Sequence, residues 1–415
     1  MPKKNKKPII LIFIAHYLPG FKYGGILITV SNTIDHLNKK FEFKIITRDR
    51  DLNSRKPYEG IIYDKWQNVR NAKVRYLKPE EINFKYLISL IRDTDYDLIQ
   101  LNSFFDSIFT LKVVLAKKLK LISDKPMIIA PRGELLDGSF NRKFLKKFLF
   151  VKFALFTGFY GKLIWQASNE LESKGFKKVM NVKRDSICIA GDLPSLDHLN
   201  KIPDKKLPKS IKSNRLKIVF LNRITTEKNL DYALKVIKKL KGNVIFDIYG
   251  PKQDKKHWYE CEKIIKRIDK ITKVTYKGSV PPDKVIDVFR DYDLFLHPTR
   301  SENYGHTIIE SLIAGTPVLL SKGTTQWDNI EDEGMGWLAP LSDIDLFVKK
   351  IKRLINEDSE IRFRRREIIC SKTTPDWFDQ DRVTGLSGVS VVEFELHTDV
   401  AFGTFLLLVR TFPSL

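Results

Sequence analysis

Two glutamates, Glu302 and Glu310, stand eight positions apart in the stretch "SENYGHTIIE", residues 301 to 310. The stretch follows a strand-like run, "DLFLHPT", and its apolar periodicity predicts a helix that begins near His306. The amino terminus of a helix exposes unpaired N–H groups and a partial positive charge, which suits a diphosphate. Glycine at position 305 lets the backbone come close to a ligand. The two carboxylates can accept hydrogen bonds from sugar hydroxyls.

Two cations stand where such a ligand would need them. The stretch "LNRITTEKNLDYAL" places Arg223 just past a predicted strand and Lys228 five residues later, at the start of a helix. Fixed positive charges at a strand end can hold a diphosphate and stabilise it as it leaves. No Asp-x-Asp motif stands in a position that suggests a metal in this role, so we expect neither a metal nor a cofactor. Together these residue types predict a nucleotide sugar as the ligand.

Plainer interpretations of the same residues stay open. Glu302 can be a solvated loop carboxylate and Glu310 an exposed helix residue, while Arg223 and Lys228 can be ordinary surface ion-pair partners. We give His306 a contact with the ligand and no proton transfer. Elsewhere, Gly24 with Gly25, and Gly250 with Pro251, can be simple turns after strands.

The elements that must position these residues follow a regular rhythm. Short apolar, β-branched runs without alternation recur between amphipathic stretches in both halves of the chain, which is typical of parallel sheets covered on both faces. We therefore predict an α/β protein with two doubly wound domains. Between the two halves lies a segment rich in proline and lysine, which we interpret as a linker. The end of the chain forms an unusual tail, because the 43 residues after Lys372 contain no lysine. The predicted segments are an N-terminal domain at 1–195, a linker at 196–215, a C-terminal domain at 216–365 and an atypical tail at 366–415.

Ligands of doubly wound sheets bind beyond the carboxyl ends of the strands. The expected active site is therefore a cleft between the two domains. In the first domain, "LNSFFD" offers Asn102 and "APRGEL" offers Arg132 and Glu134 at strand ends, as candidates for acceptor recognition. These residues can equally be loop polars without a ligand.

At this point the sequence resembles a known family. "RSENYGHTIIESLIAGTPVLLS" is similar to the E-x7-E signature of the retaining GT-B glycosyltransferases of family 4, and "LNRITTEKNL" is similar to their phosphate-binding motif. Further likeness in "YLPGFKYGGI", "LNSFFD", "APRGEL", "VIFDIYGP" and "YKGSVP" extends it from about residue 8 to about residue 355. The resemblance does not reach the tail. It implies a GT-B fold, in which two Rossmann-like domains face each other across a cleft.

The resemblance also implies residue roles. Glu310 would bond the ribose and Glu302 the donor sugar, while Arg223 and Lys228 would clamp the diphosphate. The remaining donor contacts that it implies are Asn303, Tyr304, Gly305, His306, Gly24, Gly25 and Val280. Transfer in this family retains the anomeric configuration, and a front-face substitution would need no protein nucleophile. Relatives often carry histidine where this chain has Gln100 and Gln166, so a general base stays unassigned.

The charge balance suggests anionic partners. The chain carries 73 basic and 50 acidic residues, a formal charge of +23. The region 141–165, "NRKFLKKFLFVKFALFTGFYGKLIW", mixes lysines with aromatic residues, as helices at anionic membrane surfaces do, although an ordinary amphipathic helix is an alternative. Three scattered cysteines indicate a reducing compartment, and the run Ile9 to Ala15 is interpreted as a buried strand rather than a signal peptide. We expect a cytoplasmic location, at the inner membrane face.

The leading interpretation is a retaining, metal-independent hexosyl-type transferase that extends a surface polysaccharide such as lipopolysaccharide, capsule or exopolysaccharide, on a glycan or polyprenyl-linked acceptor. One alternative is an epimerase of the same fold that acts on a nucleotide sugar without an acceptor. Another is an inactive family member or a basic membrane-binding protein. Nucleic acid is not an expected partner, because the chain shows no RNA-recognition motif and no compact recognition helix.

Overall fold

The computed structural model describes residues 7–140, 144–197, 215–240 and 242–373, with two short strands near the end of the chain. The chain divides into two compact units between Leu193 and Pro194. Each unit has its own sheet and its own apolar core, and each is described separately below.

The first unit is built on an eight-stranded sheet in the order β3-β4-β2-β1-β5-β6-β7-β8. All neighbouring strands are parallel except β3 and β4, which form an antiparallel pair at one edge. The strands are β1 Ile9–Phe13, β2 Glu42–Arg48, β3 Trp66–Val69, β4 Ala72–Leu77, β5 Leu98–Asn102, β6 Met127–Ala130, β7 Ile164–Ala167 and β8 Ile187–Ile189.

Helices cover both faces of this sheet, as unalternating apolar strands require. The two apolar clusters of the unit are centred on Phe13 and Leu101 on one side and on Ile12 and Ile45 on the other. The α-helices are α1 Gly25–Leu37, α2 Phe84–Arg92, α3 Lys112–Lys118, α4 Asp137–Phe140, α5 Phe144–Thr157 and α6 Glu170–Met180. Short 3₁₀ turns at Pro79–Glu81 and Arg184–Ser186 and a π turn at Ser107–Leu111 complete the unit.

The second unit has a six-stranded, fully parallel sheet in the order β11-β10-β9-β12-β13-β14. Its strands are β9 Leu216–Leu221, β10 Val244–Tyr249, β11 Lys273–Gly278, β12 Leu294–His297, β13 Val318–Ser321 and β14 Gly336–Ala339. Its helices are α7 Leu230–Lys239, α8 Lys255–Ile265, α9 Val285–Arg290, α10 His306–Ile313, α11 Ile344–Asn356 and α12 Ser359–Lys372, with a 3₁₀ turn at Pro282–Lys284. The two remaining described strands, β15 Leu396–His397 and β16 Leu406–Leu407, lie outside the second unit and pair antiparallel with each other.

Side-chain caps fix where several helices begin. Asn83, Asn169, Asp254, Asp343 and Asp358 each accept a hydrogen bond from a backbone N–H of the following first turn. Such a cap satisfies a donor that the helix itself cannot, and is worth about 1 kcal/mol. Because each cap is an Asn or Asp directly before the helix that it caps, these helix starts are encoded locally in the sequence.

The predicted class of two doubly wound α/β domains is confirmed by the two sheets. The division between Leu193 and Pro194 lies close to the predicted end of the first domain at residue 195. Helix α12 crosses position 365, the predicted end of the second domain, and buries Ile369 in the core of the second unit. The predicted linker and the predicted tail lie largely outside the described residues.

Gly250, predicted as a turn after a strand, has a stricter role. Its φ is +130°, and a Cβ built there would lie 1.8 Å from the carbonyl oxygen of Asn222. The backbone N–H of Asn222 donates to the carbonyl of Tyr249 at 3.1 Å, so the ends of β9 and β10 are in close contact at this point. Glycine is required here because a side chain would push the two loops apart.

We expect Gly250→Ala to lower the free energy of unfolding by about 3 kcal/mol or more, from backbone strain and the steric clash together. Gly334→Ala is the matched control, since Gly334 also has a positive φ of +69° but open space around it, and should lose about 1 kcal/mol. Urea denaturation followed by tryptophan fluorescence measures both. Equal losses in the two variants would contradict the close contact.

Candidate functional site

Glu302 and Lys228 form a largely buried ion pair in the second unit. Their side chains are 13% and 11% exposed, and the Lys228 ammonium contacts Oε2 of Glu302. The same Glu302 oxygen lies 3.1 Å from Nε2 of His297, the last residue of β12. Glu302 therefore contacts two side chains of the same unit, Lys228 and His297. It is not a loop carboxylate surrounded by water.

His297 connects Glu302 to the end of β9. Nδ2 of Asn222 lies 3.2 Å from Nδ1 of His297, so this ring nitrogen accepts and Nε2 carries the proton that is donated to Glu302. The amide of Asn222 also reaches Oγ1 of Thr307 in the first turn of α10 at 3.5 Å. Asn222, His297 and Glu302 thus form one chain of polar contacts across the carboxyl ends of two neighbouring strands.

This network controls two protonation states. Burial alone would raise the pKa of Glu302, but the Lys228 charge and the hydrogen bond from His297 hold it well below its usual range. Burial lowers the pKa of His297 in spite of the adjacent carboxylate. At neutral pH the pair is therefore an ionised Glu302 and an uncharged His297, and Glu302 can accept hydrogen bonds but cannot supply a proton.

The loop that carries Glu302 is held by backbone contacts. The N–H of Arg300 donates to the carbonyl of Glu227 at 2.8 Å, and the N–H of Glu302 donates to the carbonyl of Thr324 at 2.9 Å. The hydroxyl of Thr299 also reaches the Glu227 carbonyl, at 3.1 Å. The Glu227 carbonyl therefore joins the loop of Lys228 to the loop of Glu302 through one main-chain and one side-chain hydrogen bond, which fixes the geometry of the ion pair.

Helix α10 begins where the sequence predicted, at His306. Gly305 caps it with φ 80° and ψ 57°, and a Cβ there would lie 2.7 Å from the side chain of Ile308. The N–H groups of His306 and Thr307 precede the first hydrogen-bonded turn, so by helical geometry they have no carbonyl of the same helix as an acceptor. The partial positive charge of the helix dipole makes this end suited to an anion.

Glu310 lies one turn further along α10, with 7% of the residue exposed. Burial raises the pKa of its carboxyl group to about 8. The two glutamates of the motif therefore differ in charge: Glu302 is ionised at neutral pH, whereas Glu310 is largely protonated in the unliganded protein. The alternative in which Glu310 is an exposed helix residue is wrong.

The second predicted cation, Arg223, has a different described partner. It follows β9 directly after Asn222, is half-buried, and its guanidinium lies 3.4 Å from Oε1 of Gln253. Its described contacts do not include Glu302. The exposed Arg300, which the sequence did not single out, donates to Oδ1 of Asn229, the residue after Lys228, at 3.1 Å.

The remaining predicted donor contacts of this unit surround α10. The ring of Tyr304 is buried in the core, and its carbonyl accepts a hydrogen bond at 2.7 Å from Nε1 of Trp327. The His306 ring packs edge-on against Tyr304, with centroids 4.9 Å apart. Asn303 precedes this pair in the loop, and Val280 packs against the same core cluster. Their contacts with a donor stay predictions.

In the first unit, Gly24 and Gly25 begin α1. Gly24 caps the helix with φ 72°, a backbone angle that favours glycine. The preceding loop is held by Asp51, whose Oδ2 accepts from the N–H groups of Phe21 at 3.0 Å and Lys22 at 3.1 Å. The two glycines form a strand-to-helix turn, and a contact with a donor at this turn is an untested prediction.

Arg132 is the centre of a buried polar network at the carboxyl edge of the first sheet. It donates to Oδ1 of Asn102 at 3.1 and 3.0 Å and pairs with Asp192 at 3.1 Å. Asp192 also accepts from Oγ of Ser168 at 3.2 Å and from Oγ1 of Thr29 in α1 at 2.9 Å. The network joins α1 to the ends of β5 and β7 and to the loops after β6 and β8.

The carboxylate of Glu134 is directed into its own unit. It accepts from Oγ of Ser103 at 2.9 Å and from the N–H groups of Phe104 at 2.6 Å and Phe105 at 3.1 Å. These contacts fix the loop after β5 and give Glu134 a structural task. The two glutamines noted in the sequence contact each other, with Nε2 of Gln100 donating to Oε1 of Gln166 at 3.0 Å.

Within the described ranges, no cluster of three or more His, Cys, Asp or Glu side chains could hold a metal ion. No described helix is long and apolar enough to cross a membrane.

The GT-B glycosyltransferase fold consists of two doubly wound domains, each built on a parallel sheet with polar residues at the strand ends. The two units of this chain have this architecture. Two solved structures carry this comparison. WaaG, a glycosyltransferase involved in lipopolysaccharide biosynthesis, matches with a TM-score of 0.62 and 14% identity, over 91% of this chain and 100% of its own. HepE from Anabaena, solved with UDP-glucose, matches with a TM-score of 0.62 and 14% identity, over 91% of this chain and 96% of its own. At these identities the likeness is one of fold, and the predicted GT-B class is confirmed.

Part of the sequence is similar to a known family. Residues 202–369 match the family model of glycosyl transferases group 1. A protein from the cps region of Klebsiella pneumoniae, described as an uncharacterized 41.2 kDa protein, is 24% identical over 204 residues, or 46% of this chain and 54% of that protein. The chain thus spans about half the length of this curated relative. The narrower assignment to family 4, and the interpretation of Glu302 and Glu310 as its E-x7-E pair, stay predictions.

Because Glu302 is buried with its charge, Lys228→Met should lower the free energy of unfolding by about 3 to 5 kcal/mol at pH 8. Without Lys228, burial raises the pKa of Glu302, so Glu302 takes up a proton on acidification and the loss should be smaller at pH 5. Adding Glu302→Gln to Lys228→Met should recover most of the stability at pH 8. Denaturant unfolding at the two pH values measures these effects.

Lys235→Met is the matched control for that experiment. Lys235 is 53% exposed and pairs with Asp231 on the surface of α7, so its loss should stay within about 1 kcal/mol. A Lys228→Met loss no larger than this, or one that does not change with pH, would contradict the role of the pair.

The raised pKa of Glu310 predicts a second pH dependence. Below the ordinary pKa of 4.5 the carboxyl is protonated in both folded and unfolded chains; between 4.5 and about 8 only the unfolded chain ionises, so stability falls as pH rises. Glu310→Gln removes this group. The melting temperature of the variant minus that of the wild type should therefore increase as pH rises through this window. Glu360→Gln, at a side chain 69% exposed, is the control. A pH-independent difference between Glu310→Gln and the wild type would rule out the effect.

Proposed function

We propose that the protein is a retaining glycosyltransferase that moves a sugar from a nucleotide-sugar donor to a glycan acceptor in polysaccharide biosynthesis. The observation that carries this proposal is the ionised, buried Glu302 beside Lys228, next to the amino terminus of α10. The match of residues 202–369 to glycosyl transferases group 1 supports it. The likeness to WaaG and HepE supports a lipopolysaccharide or related glycan as product and a nucleotide sugar as donor.

The diphosphate of the donor would lie at the start of α10. The main-chain N–H groups at this helix end would donate to it, and the helix dipole would stabilise its negative charge. Lys228 has three N–H donors, of which Glu302 uses one in the unliganded protein, and Arg223 is accessible at the end of β9. Cations in these positions neutralise the charge that builds up on the departing diphosphate.

The two glutamates would hold the sugars. Glu302 is ionised and can accept a hydrogen bond from a hydroxyl of the donor sugar, and His297 and Lys228 keep it oriented for that contact. Glu310 is largely protonated before the donor binds, so it can donate to a ribose hydroxyl or, once ionised, accept from it. Neither group needs to exchange a proton with the reacting atoms.

The proposed transfer is a front-face substitution. The bond between the anomeric carbon and the diphosphate oxygen breaks, and a bond from the same carbon to the acceptor oxygen forms on the same face. The proton of the acceptor hydroxyl passes to the departing phosphate oxygen, so atoms and charge balance without a protein nucleophile. No step calls for a metal ion, because Lys228, Arg223 and the helix end supply the positive charge.

For the acceptor we propose the first unit, with Asn102 and Arg132 at the carboxyl edge of its sheet. Arg132 is already bound by Asn102 and Asp192, so it would act by fixing the orientation of the Asn102 amide. Glu134 would shape the loop after β5 and would not contact the acceptor itself. A lipid-linked glycan is the proposed form of this acceptor, at the cytoplasmic face of the membrane.

The test is a calorimetric titration with UDP-, GDP- and ADP-sugars, followed by mass and NMR analysis of product formed on a lipid-linked acceptor mixture. We expect one donor to bind and to be transferred with retention at the anomeric carbon. Arg223→Ala should weaken its binding about tenfold, and Lys228→Met/Glu302→Gln should lower kcat about 100-fold or more.

Lys235→Met serves as the control for lost positive charge in the same unit and should bind the donor as the wild type does. No affinity for any of these donors in a folded sample would end the proposal. Consumption of donor without an acceptor would favour the epimerase alternative. A product of inverted anomeric configuration would contradict the retaining mechanism but not the transfer of the sugar.

A further inference from the structure

Helix α5 presents an apolar face to solvent, which is the reverse of an ordinary surface helix. It packs on the first unit through Val151 and Ala154. The opposite side carries large apolar side chains with substantial exposure, with Phe156 at 93%. The exposed members are Phe144, Leu145, Phe148, Leu149, Phe153, Leu155 and Phe156.

The neighbouring end of α3 extends this surface. The ammonium of Lys118 donates to the carbonyl of Thr157, which brings the carboxyl ends of α3 and α5 together. Leu115 and Leu119 are exposed at this end, at 36% and 54%. We call the exposed face of α5 together with these two leucines the α5 surface.

The charges of the α5 surface have one sign. Lys146 and Lys152 are exposed on α5, Lys118 and Lys120 are exposed at the end of α3, and residues 144 to 163 contain no Asp or Glu. Lys152 lies over the Phe148 ring at 5.4 Å, with an aliphatic stem long enough to leave its ammonium at the edge of an apolar layer. A helix face that carries both exposed apolar side chains and lysines is complementary to a layer whose interior is apolar and whose surface is anionic.

We infer that the α5 surface docks the protein on an anionic phospholipid membrane, with α5 parallel to the bilayer plane. A 14-residue helix is about 21 Å long, too short to cross a hydrocarbon core of about 30 Å. Its phenylalanines and leucines are transferred from water to the boundary between headgroups and acyl chains, while its lysines remain among the headgroups. This inference rests on the first unit alone and does not depend on the proposed sugar transfer.

The experiment is flotation of the full chain with vesicles of phosphatidylcholine and with vesicles that also contain phosphatidylglycerol. We expect flotation with the anionic vesicles and little with the neutral ones, and weaker binding in high salt. Phe153→Ser/Phe156→Ser should lower the affinity for anionic vesicles by about tenfold or more, because two aromatic side chains no longer leave water. Lys146→Glu/Lys152→Glu should lower it by a similar factor through charge repulsion.

Tyr259→Ser/Ile271→Ser is the matched control, since these side chains of the second unit are 58% and 67% exposed, and it should float as the wild type does. Circular dichroism melting of every variant checks that it is folded. Failure of the wild type to float with anionic vesicles, equal flotation with neutral vesicles, or wild-type flotation by the α5 variants overturns the inference. A dimer in light scattering that Phe153→Ser/Phe156→Ser dissociates, without vesicle binding, assigns the surface to a second copy instead.

Discussion

Lys228 and Glu302 form an ion pair that is largely withdrawn from water, and the rest of the candidate site is arranged around it. Burying two charges is costly, and the cost is met only if the geometry is good and the remaining hydrogen-bonding capacity is used. Here the hydrogen bonds from the Arg300 N–H and the Thr299 hydroxyl to the Glu227 carbonyl fix the geometry, and His297 donates to Glu302 and so uses part of its remaining capacity. The result is a carboxylate that keeps its charge and its orientation before any ligand arrives.

The contrast between Glu302 and Glu310 follows from the same physics. Both carboxyl groups are buried, yet one has a cation and a histidine beside it and the other is governed by desolvation. A protein can thus place two chemically identical side chains eight residues apart and keep one ionised and the other largely neutral at neutral pH. Spacing along the chain predicted that the two would belong to one site, but it carried no information about this difference.

Much of the fold was accessible from sequence because its signals are local. Unalternating apolar runs such as that of β9 predicted parallel sheets, and apolar periodicity predicted that α10 begins near His306. The site was predicted less completely, since its contacts join residues far apart in the chain. His297 and Asn222 are the clearest omissions. Each is a polar residue at or just past the end of an otherwise apolar strand, a position at which a doubly wound sheet presents side chains to a ligand. Arg300 was passed over because an exposed arginine in a loop is indistinguishable from many others until its contact with Asn229 is known.

The glycines at neighbouring strand ends of the second unit differ in how much change they permit. Gly250 faces the main chain of Asn222, whereas Gly278 has a positive φ but open space around it, and its carbonyl accepts from the N–H of Gly250 at 2.8 Å. A lineage under selection for a new substrate could therefore alter the loop after β11, including Val280, long before it could alter the loop after β10. Sequence changes in this unit should therefore be concentrated in the loop after β11, while the ends of β9 and β10 change little.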